Sequence, residues 1–212
     1  MYMRKHTILI LFAMGLTGCY RGQPAGELQE ATFQAQVTSV RNGKSNAIHL
    51  SQHSVTDEDL AHLVDLEPLA SLRLEKSSIS DQGIGYLTRL HNLTILNLPR
   101  SEITDDGLSQ LVTLPQLELL RLGSQNITDA GMKHIANMRQ LRFLHLIRVP
   151  ITDAGLVSLY DMSWLESFYV DQTHVTDKGL SELKKALPNI HLHVNDSHLA
   201  NDDSDHEHSS HP

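Results

Sequence analysis

The chain of 212 residues contains a single cysteine, Cys19, and only 5% aromatic residues. One cysteine excludes a framework of internal disulfide bonds. The formal net charge of −8 argues against a nucleic-acid-binding protein, because such proteins gain affinity by neutralising phosphates. The sequence also lacks a glycine-rich phosphate loop, a nucleophile elbow, a Cys–His pair and a zincin motif. We therefore expect a protein that is not an enzyme and needs no cofactor.

The first 18 residues have the features of an export signal. A basic start is followed by the apolar run 8–14, which is shorter than the about 20 residues that a membrane-spanning helix needs. Residues 16–19, Leu-Thr-Gly-Cys, resemble the lipobox of bacterial lipoproteins, in which cleavage precedes a cysteine that carries diacylglycerol. The resemblance implies a signal peptide at 1–18, a lipidated Cys19, a tether at 19–25 and anchoring in the outer membrane of a bacterial cell envelope. The alternative is an ordinary signal that precedes a cysteine by chance.

A motif of an apolar residue, Thr or Ser, and Asp recurs every 24 residues in the middle of the chain. Its six copies begin at Val55, Ile79, Ile103, Ile127, Ile151 and Val175. In five copies a glycine follows two residues after the aspartate, and apolar residues at helical spacing come next. Runs of the form Leu-x-x-Leu-x-Leu precede the motif, as at 69–74 and 117–122, and their alternation predicts short strands. Each unit is therefore predicted to be a strand, a turn and a short helix.

This pattern resembles the leucine-rich repeats of bacterial proteins and the repeats that follow F-boxes. The resemblance covers residues 47–194, about six repeats of 24 residues. It implies an α/β leucine-rich repeat solenoid, a right-handed β-α superhelix with a parallel sheet on its concave face. No F-box precedes the repeats in this sequence, so no role in ubiquitination is inferred.

The residue types of the repeat predict how each helix begins. Thr104 and its counterparts suit the N-cap position, and the following Asp105 places negative charge at the positive end of the helix dipole. Calcium binding by the aspartate column is the alternative. The glycine column, represented by Gly107, suggests a close backbone approach between stacked coils.

Two further segments flank the repeats. Residues 26–46 are predicted to form an N-terminal cap that contains a hairpin, because 35–40 alternates in polarity and Asn42-Gly43 is a hairpin-turn signal. Residues 195–212 are acidic and contain no Lys or Arg, so we predict a disordered tail. Candidate zinc, nickel or copper ligands in this tail are His206, His208 and His211, which would make the chain a metal-binding envelope protein. A solvated tail without metal is the alternative.

The concave face is the candidate binding surface. Alternate strand residues point away from the core, which gives one outward column of Ala47, Ser71, Ile95, Leu119, Phe143 and Ser167. The second outward column contains His49, Arg73, Asn97, Arg121, His145 and Tyr169, with Lys76, Arg100, Ile147 and Arg148 beside it. An apolar strip with basic neighbours predicts binding of a protein or peptide through Ile95, Leu119, Phe143, Ile147, Arg73, Arg121, His145, Arg148 and Tyr169. A structural spacer that merely tolerates outward apolar residues is the other interpretation.

Overall fold

The protein is described by a computed structural model that covers residues 31–195 and 197–198. Eight strands form one sheet in sequence order. They are β1 Ala47–Leu50, β2 Ser71–Leu74, β3 Ile95–Leu98, β4 Leu119–Leu122, β5 Phe143–Ile147, β6 Ser167–Asp171, β7 His191–Val194 and β8 Ser197–His198. The first seven strands pair in parallel, whereas β8 pairs with β7 in the antiparallel direction.

Short helices connect the parallel strands. The α-helices are α1 Phe33–Arg41, α2 Asp57–Leu60, α3 Asp81–Leu87, α4 Asp105–Leu111, α5 Met132–Ile135, α6 Asp153–Leu156 and α7 Asp177–Ala186, and two 3₁₀ turns follow α2 and α6 at Ala61–Leu63 and Val157–Leu159. One strand and one helix per 24 residues confirm the predicted α/β leucine-rich repeat solenoid.

The core lies between the sheet and the helices. One continuous cluster of buried apolar side chains runs from Phe33 in α1 to Leu192 in β7. Ile103 and Leu108, which flank the start of α4, are both fully buried in it. Because burial of each such side chain stabilises by roughly 1.5–3 kcal/mol, stacking of the repeats supplies most of the stability.

In five repeats the aspartate of the 24-residue motif binds the following repeat. Asp105 accepts hydrogen bonds from the backbone N–H of Thr128 at 2.9 Å and from its hydroxyl at 2.6 Å. The same pair of bonds links Asp57 to Ser80, Asp81 to Thr104, Asp129 to Thr152 and Asp153 to Thr176. We call these five pairs the capping ladder. Both carboxylate oxygens are thus used between repeats, and residues 31–195 and 197–198 hold no group of three potential metal ligands.

The glycine column makes room for this ladder. A Cβ atom on Gly107 would lie 2.2 Å from Asp81 Oδ1 of the preceding repeat. The predicted close approach is therefore present, but its partner is an aspartate side chain rather than a backbone. The first repeat carries Asp59 at this position, where it closes a capping box with Thr56. No aspartate of the motif precedes that repeat, so the space is free.

The N-terminal cap is a helix and the predicted hairpin is wrong. Phe33, Val37 and Val40 are buried on one face of α1, which packs on the edge of the sheet, so their helical spacing outweighs the short alternation of 35–40. The Asn42-Gly43 pair ends the helix, with Gly43 at a φ of +67°. The amide of Gln36 pairs with the backbone of His49 in β1. A side chain thereby satisfies the strand edge that a hairpin was expected to cover.

The C-terminal boundary also differs from the prediction. Ser197 and His198 pair with β7, so ordered chain extends beyond the predicted start of the tail at 195. Residues 1–30, which include the predicted signal peptide 1–18, Cys19 and the tether 19–25, lie outside the described residues, as do His206, His208 and His211. Within the described part of the chain, no helix is long and apolar enough to cross a membrane.

Candidate functional site

The sheet face that points away from the core carries both predicted columns, and we call it the open face. The strand register confirms the first column, because Ile95 pairs with Leu119 and Leu119 pairs with Phe143. These three side chains are half-buried and are not part of the core cluster. With neighbouring strands about 4.8 Å apart, they form an apolar strip roughly 10 Å long. The strip is less exposed than expected, since Val157 on the helix side is the one large apolar residue of the described chain that counts as exposed.

The second column is confirmed as well, and its side chains bind one another. Arg73 lies in register between His49 and Asn97. The amide of Asn97 donates to Glu75 Oε1 at 3.1 Å, and Arg121 Nη1 lies 3.6 Å from Glu75 Oε2. Arg121 Nη1 also donates to Asn97 Oδ1 at 3.4 Å. Glu75 therefore neutralises an arginine that was predicted to face a partner.

His145 extends this network across two more strands. Arg121 Nε donates to His145 Nδ1 at 3.2 Å, and His145 Nε2 lies 2.6 Å from Asp171 Oδ2. Because an arginine Nε can only donate, Nδ1 accepts and the ring proton sits on Nε2, which donates to Asp171. Tyr169 lies 5.3 Å from the His145 ring and stacks on His193 with 4.0 Å between ring centroids. We call this series of contacting side chains the polar rail; its members are Glu75, Asn97, Arg121, His145, Asp171, Tyr169 and His193.

The polar rail contains two residues that the sequence analysis missed. Glu75 and Asp171 both directly follow the β-strand core of their repeats, at equivalent repeat positions. The signal was available, because both acids lie two repeat positions after the outward column of Arg121 and His145, where they can pair with these residues across strands. Asp171 Oδ1 is buried without a hydrogen-bond partner, so this carboxylate is held mainly through its other oxygen.

A cleft of about 240 Å³ lies at the carboxyl end of the strands, beside the polar rail. It is lined by Ser51, Glu75, Lys76, Pro99, Arg100, Arg121, Ile147 and Arg148. We call it the cation cleft, because four of its lining residues are cationic and one is acidic. Three predicted site residues, Arg121, Ile147 and Arg148, thus meet here.

The repeat that contains β4 explains how the cleft forms. A Cβ atom on Gly123 would lie 2.1 Å from the carbonyl oxygen of Pro99, so this strand end lies close to its neighbour. The next residue, Ser124, is buried and donates to the carbonyl of Ile103 at 2.6 Å. No long side chain therefore separates the two flanking repeats, and the Arg148 guanidinium donates across the gap to Pro99 O at 3.4 Å.

One repeat of the chain matches a known family profile. A family profile described as Leucine Rich repeat matches residues 89–112. The chain is similar to the crystal structure of internalin C2 from Listeria monocytogenes, with 18% identity and a TM-score of 0.46, over 74% of this chain and 91% of that chain. It is also similar to an internalin designated InlF from the same organism, with 19% identity and a TM-score of 0.45, over 74% of this chain and 58% of that one. No curated protein matches the sequence.

Proposed function

We propose that the chain is a non-catalytic, lipid-anchored leucine-rich repeat protein of a bacterial envelope whose open face binds another protein or a peptide. The observation that carries this proposal is the apolar strip of Ile95, Leu119 and Phe143 beside a fixed set of polar side chains. The core does not require apolar residues at these positions, because they lie on the other side of the sheet. An apolar centre with a polar rim is typical of a protein-binding surface.

The polar rail makes the open face a suitable binding surface. Arg121, His145 and Tyr169 are held by their neighbours before any partner arrives. Fixed side chains lose less conformational entropy on association than free ones, and this lowers the cost of binding. Phe143 is the expected anchor of the strip, since burial of an aromatic side chain contributes about 2–3 kcal/mol.

The proposed anchor is Cys19, supported by the lipobox-like residues 16–19. Mass spectrometry of the mature N-terminus is expected to find acyl chains on residue 19. A product that is cleaved elsewhere, or that carries no lipid, would contradict the anchoring half of the proposal and leave the binding half standing.

Binding is tested with two matched apolar truncations. Phe143→Ala removes the aromatic end of the strip, whereas Val157→Ala removes an exposed apolar side chain on the helix side. Capture of a defined envelope protein by the immobilised chain should fall at least about tenfold with Phe143→Ala, which corresponds to about 1.4 kcal/mol, and should not change with Val157→Ala. Equal capture by both variants would favour the spacer interpretation.

A further inference from the structure

We propose that the cation cleft is a binding site for an acidic polypeptide segment, and that the segment which occupies it is the chain's own residues 199–212. The contact itself concerns this chain alone. Its regulatory consequence, that the tail covers part of the partner surface, rests on the proposed function.

The cleft carries unneutralised positive charge on a protein whose net charge is −8. Lys76, Arg100, Arg121 and Arg148 line it together with one carboxylate, Glu75, so three positive charges are in excess. Glu75 pairs with Arg121. Lys76 donates to the neutral amide of Gln52 at 2.6 Å, and Arg148 donates to a backbone carbonyl. Within the described residues, three cations of the cleft therefore have no carboxylate partner.

The backbone holds Arg148 at the cleft despite strain. Its φ is +54°, a left-handed conformation that is unfavourable for a residue with a side chain. Its N–H donates to Asp171 O at 2.7 Å, and its carbonyl accepts from the Gln125 amide at 2.5 Å. Both neighbouring repeats thus fix the position of a cation that lies in no ion pair of the described structure.

The size and shape of the cleft favour a polypeptide side chain as its ligand. About 240 Å³ is smaller than the roughly 300–1,000 Å³ typical of pockets for small molecules. Guanidinium and ammonium groups recognise carboxylates by charge-assisted hydrogen bonds. A short run of acidic side chains laid across the ends of β2 to β5 would meet the cations in turn.

The chain itself supplies such a run. Asp202, Asp203, Asp205 and Glu207 fall within six residues, and no Lys or Arg follows Lys185. The tail thus supplies four carboxylates, and the cleft has an excess of three positive charges.

The distance from the end of β8 to the cleft is within reach of this run. Arg148 follows β5, three strands from β8, which is about 14 Å across the sheet. Because β8 runs antiparallel to β7, the chain must also turn back toward the carboxyl ends of the parallel strands. Each extended residue spans at most about 3.3–3.6 Å, so the seven residues from His198 to Asp205 cover about 23 Å, which is enough to reach Arg148. Glu207, nine residues from His198, reaches about 30 Å, which is sufficient for Lys76 at the far side of the cleft.

Attachment to the same chain makes a weak contact effective. A short linker gives an effective concentration in the millimolar range, so the tail needs only modest affinity to occupy the cleft. A partner would have to displace it, and an acidic partner segment would compete for the same cations. The tail would thereby act as a built-in competitor on the open face.

The experiment is zero-length carbodiimide coupling of carboxylates to lysines in the full chain, held in detergent at low protein concentration, with peptides identified by mass spectrometry. Tail carboxylates should couple to Lys76 at least about fivefold more than to the control Lys133, an exposed residue of α5. Lys133 lies in a repeat closer to the C-terminus, so an undirected tail would prefer it. Raising NaCl to about 1 M should abolish the preference, because the Debye length falls to about 3 Å.

A double variant, Arg100→Gln with Arg148→Gln, removes two cations and leaves Lys76 in place. Coupling to Lys76 should fall at least about threefold, while Arg89→Gln with Arg139→Gln should not change it, and circular dichroism should confirm that both variants fold. Equal coupling to Lys76 and Lys133, no coupling to Lys76, or coupling only between two copies of the chain would overturn the proposal. The Phe143→Ala capture test does not use the tail, so failure of this inference is separate from failure of the proposed function.

Discussion

The helix side and the open face of this solenoid follow different rules. Along the helix side, the capping ladder repeats the same Asp-to-hydroxyl contact five times with nearly constant distances. Along the open face, the residue changes at almost every strand, and Asn97, Arg121 and His145 follow one another in one column. The uniform side is what stacking requires, whereas the variable side is where a particular function can be built.

The two sides also differ in what holds their polar groups. Each ladder aspartate uses both carboxylate oxygens to bind the neighbouring repeat. The open face combines the polar rail with cations at the cation cleft that have no carboxylate partner among residues 31–195 and 197–198. Substitutions on the two sides should therefore change different properties.

The largest effect is expected from crowding the ladder. In Gly131→Val, the new Cβ would meet Asp105 Oδ1 at 2.2 Å and Leu108 Cδ1 at 2.9 Å. Overpacking, together with loss of the charge-assisted bonds to Thr128, should lower the free energy of unfolding by at least about 3 kcal/mol. Urea denaturation measures this. Gly85→Val is the control, because its Cβ would meet nothing closer than 3.4 Å; an equal loss in both variants would contradict the role of the glycine column.

Removal of one ladder hydroxyl should have a smaller effect. Thr128→Ala loses the bond to Asp105 at 2.6 Å and the local bond that its hydroxyl accepts from the N–H of Ala130 at 3.2 Å, in the turn before α5 begins at Met132. We expect a loss of about 1.5 kcal/mol in the free energy of unfolding. Thr113→Ala, which loses a single bond to the carbonyl of Gln110, should cost about 0.5 kcal/mol. If Thr113→Ala costs as much as Thr128→Ala, the ladder hydroxyl contributes no more stability than a local hydrogen bond from a side chain to the backbone.

On the open face, Arg121 and Arg100 should behave differently. Arg121→Ala breaks contacts with Glu75, Asn97 and His145, so it should lower the free energy of unfolding by about 1 kcal/mol after allowance for partial solvent screening. Arg100→Ala removes an exposed cleft cation and should cost about 0.5 kcal/mol or less. Thermal denaturation of both variants under identical salt compares them. Equal stability of the two variants would show that the polar rail is not a stabilising network.

The smallest expected effect is the pH response of one ladder rung. The backbone N–H and hydroxyl of Thr176 hold the pKa of Asp153 below its usual value. A depressed folded-state pKa contributes stability that is present above the unfolded value of about 4 and is lost as the pH falls through the folded value. The urea midpoint should therefore fall less between about pH 5 and pH 2 in Asp153→Asn than in the unchanged protein. A parallel shift of the whole curve, or no change relative to Asp161→Asn, would contradict this assignment.

The repeat architecture could be predicted because its sequence motif recurs six times at a constant spacing. The spacing of 24 residues and the Leu-x-x-Leu-x-Leu runs gave the strand register, including the alignment of Ile95, Leu119 and Phe143. The N-terminal cap was mispredicted because it occurs once. A short alternating stretch and an Asn-Gly pair fit both a hairpin and a helix end, and only the packing of Phe33, Val37 and Val40 distinguishes them.

The sequence by itself determined the repeat, its period and the two outward columns, because each depends on residues close together in the chain. Only the tertiary structure decided which charges are paired. Glu75 meets Arg121 although 46 positions separate them, and Arg148 reaches Pro99 across a repeat that presents no long side chain between them. Such pairing depends on how stacked repeats place their side chains in space, and a local pattern carries no record of that arrangement.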